Sequence, residues 1–218
     1  MMTFKHVAVS LLALVMSTGV ASAEEISYDF EESSYYYKIN SDRESVTIVR
    51  YGGGGGEVYI PSSTYKHYYF DDLSQSRKVY SVTAIRDSAF MECTGITKVT
   101  IADNVKSIGK GAFEKCTGLK EVIIGNKVTS IGIGAFSYCD GLTSIRVYIE
   151  NENYRDADCN AIIERETSTL IAGCKNTTIP NGVKLIGDFA FYGCKGLTSV
   201  TIPESVKGIG EHAFYDCI

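Results

Sequence analysis

The chain has 218 residues, of which 44% are hydrophobic and 22% charged, and 21 Lys and Arg against 26 Asp and Glu give a formal net charge of −5. This composition is typical of a soluble globular protein, and it argues against a disordered chain and against a multi-span membrane protein. An acidic balance without a basic run also argues against nucleic acid as the partner.

The first 23 residues carry the pattern of a signal peptide. Lys5 precedes an apolar run from Val7 to Met16, and Ala21-Ser22-Ala23 has the small-x-small form that a signal peptidase cleaves. The run is shorter than the roughly 20 residues that a membrane-spanning helix needs. We therefore expect an exported protein whose mature chain begins at Glu24 and contains no membrane span.

Three segments between the cleavage site and the first repeat alternate apolar and polar residues as strands do. They are Ile26–Phe30, Tyr35–Ile39 and Val46–Tyr51. We predict that they form an N-terminal antiparallel β cap over residues 24–56, because the first unit of a stack has an open strand edge. Ten of the 15 tyrosines lie between Tyr28 and Tyr80, so a tyrosine-rich platform for a glycan or a protein is a second interpretation.

The dipeptide Ala-Phe recurs five times from residue 89 onward, and a Cys follows three residues after each Phe. The spacing from one Phe to the next is 23 residues, apart from one step of 55. We place these side chains in one repeated core: Phe90, Cys93, Phe113, Cys116, Phe136, Cys139, Phe191, Cys194, Phe214 and Cys217. One unit cannot bury such a face alone, so the pattern predicts a stack of units, that is, a repeat solenoid.

The unit from Leu197 to Cys217 indicates the local structure of each repeat. Val200 and Ile202 are two residues apart and therefore point to one face of a strand. Val206 and Ile209 are interpreted as a second short extended piece. The AFxxC segment is interpreted as a helical turn that brings Phe and Cys to the same side.

The full pattern is L-x-x-V-x-I-x-x-x-V-x-x-I-x-x-x-A-F-x-x-C, and it resembles a leucine-rich repeat. More narrowly it resembles the BspA-like family of bacterial surface and secreted proteins, through Ile202-Pro203, Val206–Gly210 and Ala213–Cys217. The resemblance covers about residues 57–218. It implies a mainly β leucine-rich-repeat stack with parallel strands on its inner face, and it does not imply an enzyme. In that family, surface proteins attach to host matrix proteins or to other cells.

One unit carries an insertion between Tyr148 and Thr178, which accounts for the step of 55. Ala161–Ile163 and Leu170–Ala172 flank four polar residues, so we predict an inserted β-hairpin at about 148–178. Four acidic residues near its start could hold Ca²⁺, namely Glu150, Glu152, Asp156 and Asp158. They lack the regular spacing of a calcium loop, and we expect a solvated loop without a metal.

Seven cysteines in an exported chain first suggest a disulfide framework. Five of them fill the repeated core slot, where parallel side chains are poorly oriented for bonding, so we expect thiols there. Cys159 and Cys174 lie outside that slot. Folding the hairpin about the midpoint between residues 166 and 167 places them opposite each other, so we expect one disulfide between Cys159 and Cys174.

Alternate residues of the inner-face strands should point outward and form a varied surface on a regular frame, as in other solenoids that bind proteins. We assign this candidate interaction surface to Lys98, Thr100, Glu121, Ile123, Ser144, Arg146, Tyr148, Ser199 and Thr201. Ile123, Arg146 and Tyr148 lead this set, because side chains of these types often dominate binding energy. The alternative is that these residues are only strand positions facing water.

Chemical motifs give no support to catalysis. Gly52–Gly56 is not followed by the Gly-Lys-Ser/Thr of a phosphate loop, and no CxxC pair exists for zinc. After the signal peptide only His67, in a polar loop, and His212, in a variable repeat slot, could act as a base. The sequence singles out no pair of carboxylates, so we expect no enzyme, no cofactor and no metal.

We therefore expect an exported leucine-rich-repeat module for binding or adhesion that recognises a protein or a glycan. Host extracellular matrix or another envelope protein is the expected partner. A periplasmic or envelope scaffold is the alternative, and a carbohydrate-active enzyme comes third. The last repeat has no strand after Cys217, so we also expect self-association through this uncapped repeat, unless the chain is a truncated relative of longer proteins.

Overall fold

The computed structural model describes residues 27–69 and 75–217, so the predicted signal peptide lies outside the described residues. Within those ranges the chain forms β-strands and no helix, which confirms the prediction of a mainly β fold. None of the described residues belongs to a helix that could cross a membrane.

The described residues contain sixteen strands. In chain order they are β1 Phe30–Glu32, β2 Tyr35–Ile39, β3 Ser45–Tyr51, β4 Gly56–Ile60, β5 Ser63–Tyr69, β6 Gln75–Ile85, β7 Ile96–Ile101, β8 Ser107–Ile108, β9 Glu121–Ile124, β10 Ser130–Ile131, β11 Ser144–Val147, β12 Tyr154–Arg155, β13 Ala161–Glu164, β14 Thr169–Gly173, β15 Leu185–Ile186 and β16 Gly208–Ile209. They form three sheets, with the orders β1-β2-β3-β6-β8-β10, β11-β9-β7-β4 and β12-β13-β14-β15-β16, and β5 joins the first sheet by pairing with β6.

The N-terminal strands continue directly into the repeats. Strands β1, β2 and β3 pair antiparallel, and β3 then pairs parallel with β6, which pairs parallel with β8. Tyr35, Tyr37 and Tyr80 are buried here. The Tyr51 ring stacks on Phe90 at 5.0 Å, so an aromatic ring from the N-terminal sheet covers the first repeat.

The segment around His67 differs from the prediction of a polar loop. It forms β5, which pairs antiparallel with β6 over its whole length, with His67 opposite Arg77. The polar and aromatic sequence of β5 has no apolar face of its own, but aromatic and β-branched residues suit the exposed side of a sheet. The first repeat is therefore interrupted by a β-hairpin.

The four units before the insertion each contribute one longer strand to the β11-β9-β7-β4 sheet, and the two-residue strands β8, β10, β15 and β16 belong to the other two sheets. Neighbouring repeat strands are parallel throughout. Inward side chains such as Val122 and Ile124 are completely buried between these layers. Stacking thus buries the apolar face of each unit, as the repeat pattern predicts.

The AFxxC segments are consecutive β-turns, and the predicted helical turn is wrong. The Ala112 N–H donates to the Gly109 carbonyl at 3.3 Å and the Cys116 N–H donates to the Phe113 carbonyl at 3.2 Å, a spacing of three residues. Lys115 lies within the second of these turns with a φ of 59°, a left-handed conformation that ends a helical path. The turns still bring Phe and Cys to one side, as expected. The rings of Phe90 and Phe113 stack at 4.8 Å and those of Phe191 and Phe214 at 4.9 Å.

The inserted hairpin, β13 and β14, forms as predicted but lies between two hydrophobic cores. Its residues in the larger, N-terminal core are Ile162, Ala172 and Cys174. Its residues in the smaller, C-terminal core are Cys159, Ala161, Ile163 and Leu170. The hairpin is therefore an internal layer, and its strand β14 continues the stack by pairing parallel with β15.

Cys159 and Cys174 are both free, so the expected disulfide is absent from the structure. A β-bulge shifts the hairpin register between Ile162 and Ile163. Ala161 consequently pairs with Gly173, one residue away from the register that would have placed the two cysteines opposite each other. They lie in different cores, one on each side of the hairpin. The five cysteines of the repeat slot are free as well.

Candidate interaction surface

Most of the predicted outward residues come together on one parallel sheet. Lys98 lies opposite Glu121, which lies opposite Ser144, and Thr100 lies opposite Ile123, which lies opposite Arg146. Because neighbouring strands are about 4.8 Å apart, each row is a continuous ladder of adjacent side chains.

Strand β4 extends both ladders by one residue that the sequence reasoning missed. Glu57 pairs with Lys98, and Tyr59 pairs with Thr100. Tyr59 is 60% exposed, so it presents a large aromatic side chain to solvent. The sequence pattern that could have identified Glu57 and Tyr59 is their alternation with the apolar residues Val58 and Ile60 at the start of the first repeat. We use the term ladder face for the outward residues Glu57, Tyr59, Lys98, Thr100, Glu121, Ile123, Ser144 and Arg146.

Charges alternate along one of the two ladders. The Lys98 ammonium lies 3.0 Å from a Glu121 carboxylate oxygen. Its hydrogen bond and attraction to Glu121 raise the pKa of Lys98, and Glu57 on the other side adds to the effect. Both partners of this ion pair are partly exposed, so the pair contributes little to stability. It does fix the direction of the charged groups on the ladder face.

The insertion covers the open edge of this sheet next to β11. The Val147 N–H donates to a carboxylate oxygen of Asp156 at 2.8 Å, and an Arg146 guanidinium N–H donates to Asp158 at 3.2 Å. Tyr148, predicted for this surface, follows β11 and is 42% exposed. Arg146 and Tyr148 therefore lie where the ladder face meets the insertion.

Ser199 and Thr201 do not join the ladder face. Both are exposed, but their segment forms no strand. Residues 176–178, which precede them by one period of 23, form no strand either, so no neighbouring strand is available to pair with them. In the same unit Ile202 is 43% exposed, whereas its counterpart Ile124 is completely buried. The strand pairing that aligns these outward residues is therefore present in the earlier repeats and absent around Ser199 and Thr201.

The candidate metal and catalytic residues are not assembled into a site. No group of three or more His, Cys, Asp or Glu side chains within residues 27–69 and 75–217 is arranged to hold a metal ion. Asp156, one of the acidic residues considered for Ca²⁺, accepts the N–H groups of Val147 and Asp158. His212 stacks on Phe189 at 5.3 Å and lies 3.4 Å from a Glu211 carboxylate oxygen.

The family model described as BspA type leucine rich repeat region matches this chain in six copies, over residues 59–167 and 169–218. No curated protein sequence matches it. Among solved structures, the leucine-rich repeat protein TpLRR of T. pallidum is 25% identical, with a TM-score of 0.51. The match covers 87% of this chain and 67% of that chain, so the two proteins share a fold.

Two further solved structures are less similar. A leucine rich cell surface protein of Faecalibacterium prausnitzii A2-165 is 24% identical, with a TM-score of 0.37, over 85% of this chain and 73% of that one. The pneumococcal vaccine antigen PcpA is 15% identical, with a TM-score of 0.44, over 87% and 68%. Both superpose too loosely to support an argument about this chain.

Proposed function

The chain belongs to the BspA-type leucine-rich repeat family, and from that premise we propose that it is an exported, non-catalytic binding module that recognises a protein partner through the ladder face. Leucine-rich repeats commonly mediate protein interactions, and a stack of parallel strands presents varied side chains on a regular frame. The observation that carries the proposal is the pairing of β4, β7, β9 and β11, which brings outward residues from four units into two ladders.

The composition of the ladder face supports a protein partner. Tyr59 and Ile123 lie in one ladder with Arg146 at its end, and aromatic residues and Arg are enriched at the centres of protein interfaces. The other ladder carries the Lys98–Glu121 pair, which gives the surface both signs of charge. Mixed charges around exposed apolar groups favour a specific partner over a uniformly charged polymer.

The signal-peptide pattern places the partner outside the cytoplasm in this proposal. Host extracellular matrix proteins and envelope proteins of the producing cell are the two classes we put forward, and attachment is the role that the first class would give the chain. A periplasmic or envelope scaffold is the alternative. A carbohydrate-active enzyme is the weakest candidate, since no pair of carboxylates stands out in the described residues.

The test is capture of matrix proteins and of the producing cell's envelope proteins on the immobilised chain. Tyr59→Ser in the ladder face is compared with Tyr215→Ser in the last repeat, since the two tyrosines are 60% and 57% exposed. Both substitutions are at the surface, and because the Tyr215 ring also stacks on Tyr192 at 5.3 Å, the stability of both variants is measured by urea unfolding beside capture. We expect Tyr59→Ser to weaken capture about tenfold or more, as for an aromatic hot spot, and Tyr215→Ser to leave it unchanged.

Equal capture by both variants would remove the ladder face from the proposal. Cell fractionation separates the adhesion role from the scaffold role, because a protein confined to the periplasm cannot contact a host surface.

A further inference from the structure

Three arginines line one open cleft beside the ladder face. The cleft has a volume of about 440 Å³ and lies where β11 meets the insertion. Arg146 comes from β11, Arg155 from β12 and Arg165 from the loop of the inserted hairpin. Tyr148 and Ile149 form its apolar rim. We term this site the arginine cleft.

Two of these arginines have no acidic partner among the residues that the structure describes. Among the described residues, neither Arg155 nor Arg165 is part of an ion pair. The Arg165 Nε donates to the carbonyl oxygens of Asn151 and Tyr154, both at 3.0 Å, which fixes the direction of its guanidinium group. A guanidinium held in this way is prepared to bind a carboxylate through two parallel hydrogen bonds.

The two acidic residues of the cleft leave room for a ligand. The Asp156 carboxylate accepts the N–H groups of Val147 at 2.8 Å and Asp158 at 2.9 Å, so it anchors the insertion to β11. Asp158 pairs with Arg146 at 3.2 Å, but their side chains are 92% and 55% exposed. Such an exposed pair is weak, and a carboxylate from a partner can replace Asp158 at Arg146.

We propose that the arginine cleft binds an acidic side chain, Asp or Glu, of the protein partner. The proposal rests on the proposed function in one respect, namely that the cleft shares Arg146 with the ladder face and so extends the same surface. Two guanidinium groups that lack acidic partners within the described part of the chain, together with one in a weak pair, provide donors for one carboxylate. The exposed Ile149, at 85%, and Tyr148, at 42%, provide apolar surface for the partner residue next to it.

The charges beyond the cleft favour a protein over a polyanion such as a sulfated polysaccharide. The adjoining ladder face carries Glu57 and Glu121, with only Lys98 between them. A long polyanion that left the cleft along this face would meet these carboxylates and be repelled. A protein segment avoids this cost, because it can present one acidic residue to the cleft and neutral or basic residues to the ladder.

The test is a titration of the isotope-labelled protein with a short peptide. Binding is monitored through the NMR chemical shifts of the protein's amide groups. The probe is the blocked peptide acetyl-Gly-Glu-Leu-Gly-amide, and the control is the same peptide with Gln in place of Glu. We expect the Glu peptide to shift the amides of Val147–Ile149 and Arg155–Asp158. The Gln peptide should bind about tenfold more weakly, since it lacks the charge that strengthens hydrogen bonds to guanidinium groups.

Three variants sharpen the test. Arg155→Gln should weaken binding of the Glu peptide about tenfold, whereas Arg86→Gln, which removes an equal charge at an exposed site elsewhere, should have no effect. Asp158→Asn removes the competing carboxylate and should strengthen binding. Asn tolerates the left-handed conformation at this position, where φ is 55°.

Equal binding of the Glu and Gln peptides would overturn the proposal, as would unchanged binding by Arg155→Gln. A sulfated disaccharide that shifts the same amides more strongly than the Glu peptide would overturn the choice of a protein ligand. This titration uses only the purified chain and the peptide. It can therefore fail while capture through Tyr59 succeeds, or succeed while that capture fails.

Discussion

The thiol of Cys116 donates a hydrogen bond to the carbonyl oxygen of Phe90 in the preceding repeat, at a distance of 3.1 Å. The same bond joins Cys139 to Phe113 at 3.2 Å and Cys217 to Phe191 at 3.1 Å. At these three positions the repeat slot thus holds a side chain that fills a small apolar space and also donates to a carbonyl. Cysteine does both, whereas Leu, Val and Ala lack the donor.

The thiol bond predicts a specific order of stability at Cys139. Cys139→Ala and Cys139→Ser remove similar volume, and only Ser keeps a donor for the Phe113 carbonyl. We expect Cys139→Ala to lower the free energy of unfolding by about 1–3 kcal/mol and Cys139→Ser to lower it less. Urea unfolding measures the free energy of unfolding of both variants. If the Ala variant is as stable as the Ser variant or more so, the thiol does not act as a donor.

Burial of the thiols predicts a loss of stability in alkaline solution. Burial raises the pKa of Cys116 and of Cys194 to about 12, and that of Cys159 to about 11. The folded state thus keeps these thiols protonated where the unfolded chain releases their protons. Their contribution is complete below about pH 9 and is lost as the pH rises through the raised values, at roughly 1.4 kcal/mol per pH unit for each thiol.

Urea unfolding at several pH values above about 8 tests this slope. The free energy of unfolding of the Cys116→Ser variant should decline less steeply with pH, because this variant lacks the contribution of one buried thiol. A free energy of unfolding that stays constant between about pH 9 and 11 would contradict the burial of the thiols.

Gly173 is predicted to be intolerant of any side chain. A Cβ atom at this position would lie 2.1 Å from Cε1 of Phe191, on the face of the hairpin that packs against the C-terminal core. We expect Gly173→Ala to lower the free energy of unfolding by about 2 kcal/mol or more, since the ring has to move in a packed core. Gly54→Ala is the control, because a Cβ there has no atom within 4 Å. Equal thermal stability of the two variants would show that Phe191 does not contact the hairpin in this way.

Asn151 is predicted to hold the start of the insertion against the preceding repeat. It is 1% exposed, and its amide group donates to the carbonyls of Gly125 at 2.8 Å and Val128 at 3.1 Å. Its oxygen accepts the Tyr154 N–H at 2.7 Å. Asn151→Ala leaves these buried groups unpaired and should destabilise the fold by about 2–4 kcal/mol. The exposed Asn181→Ala serves as the control, and urea unfolding that gives both variants the same stability would count against this role.

The repeat strands and most of the ladder face could be predicted from the sequence because their period of 23 residues fixes which side chains meet. Lys98, Glu121 and Ser144 occupy the same slot in successive units, and the structure places them side by side. Ser199 and Thr201 occupy equivalent slots in the sequence. Their segment forms no strand, and neither do residues 176–178 one period earlier, so the period alone does not establish strand pairing.

The insertion is where sequence reasoning was least complete. Ala161–Ile163 and Leu170–Ala172 are continuous apolar runs, a pattern that is typical of strands buried on both faces. That signal could have indicated an internal layer. The disulfide between Cys159 and Cys174 was wrong because a single bulge residue changes the register, and such bulges leave no clear mark in one sequence.

Surface labelling of tyrosines in the complex tests the claim that the ladder face binds a protein partner. Tyr59 and Tyr215 are almost equally exposed in the free chain, at 60% and 57%. Iodination of the chain alone should therefore modify both rings to a similar extent. In complex with a captured partner, we predict that Tyr59 is protected and that Tyr215 is modified as before. Unchanged modification of Tyr59 in the complex would contradict the claim.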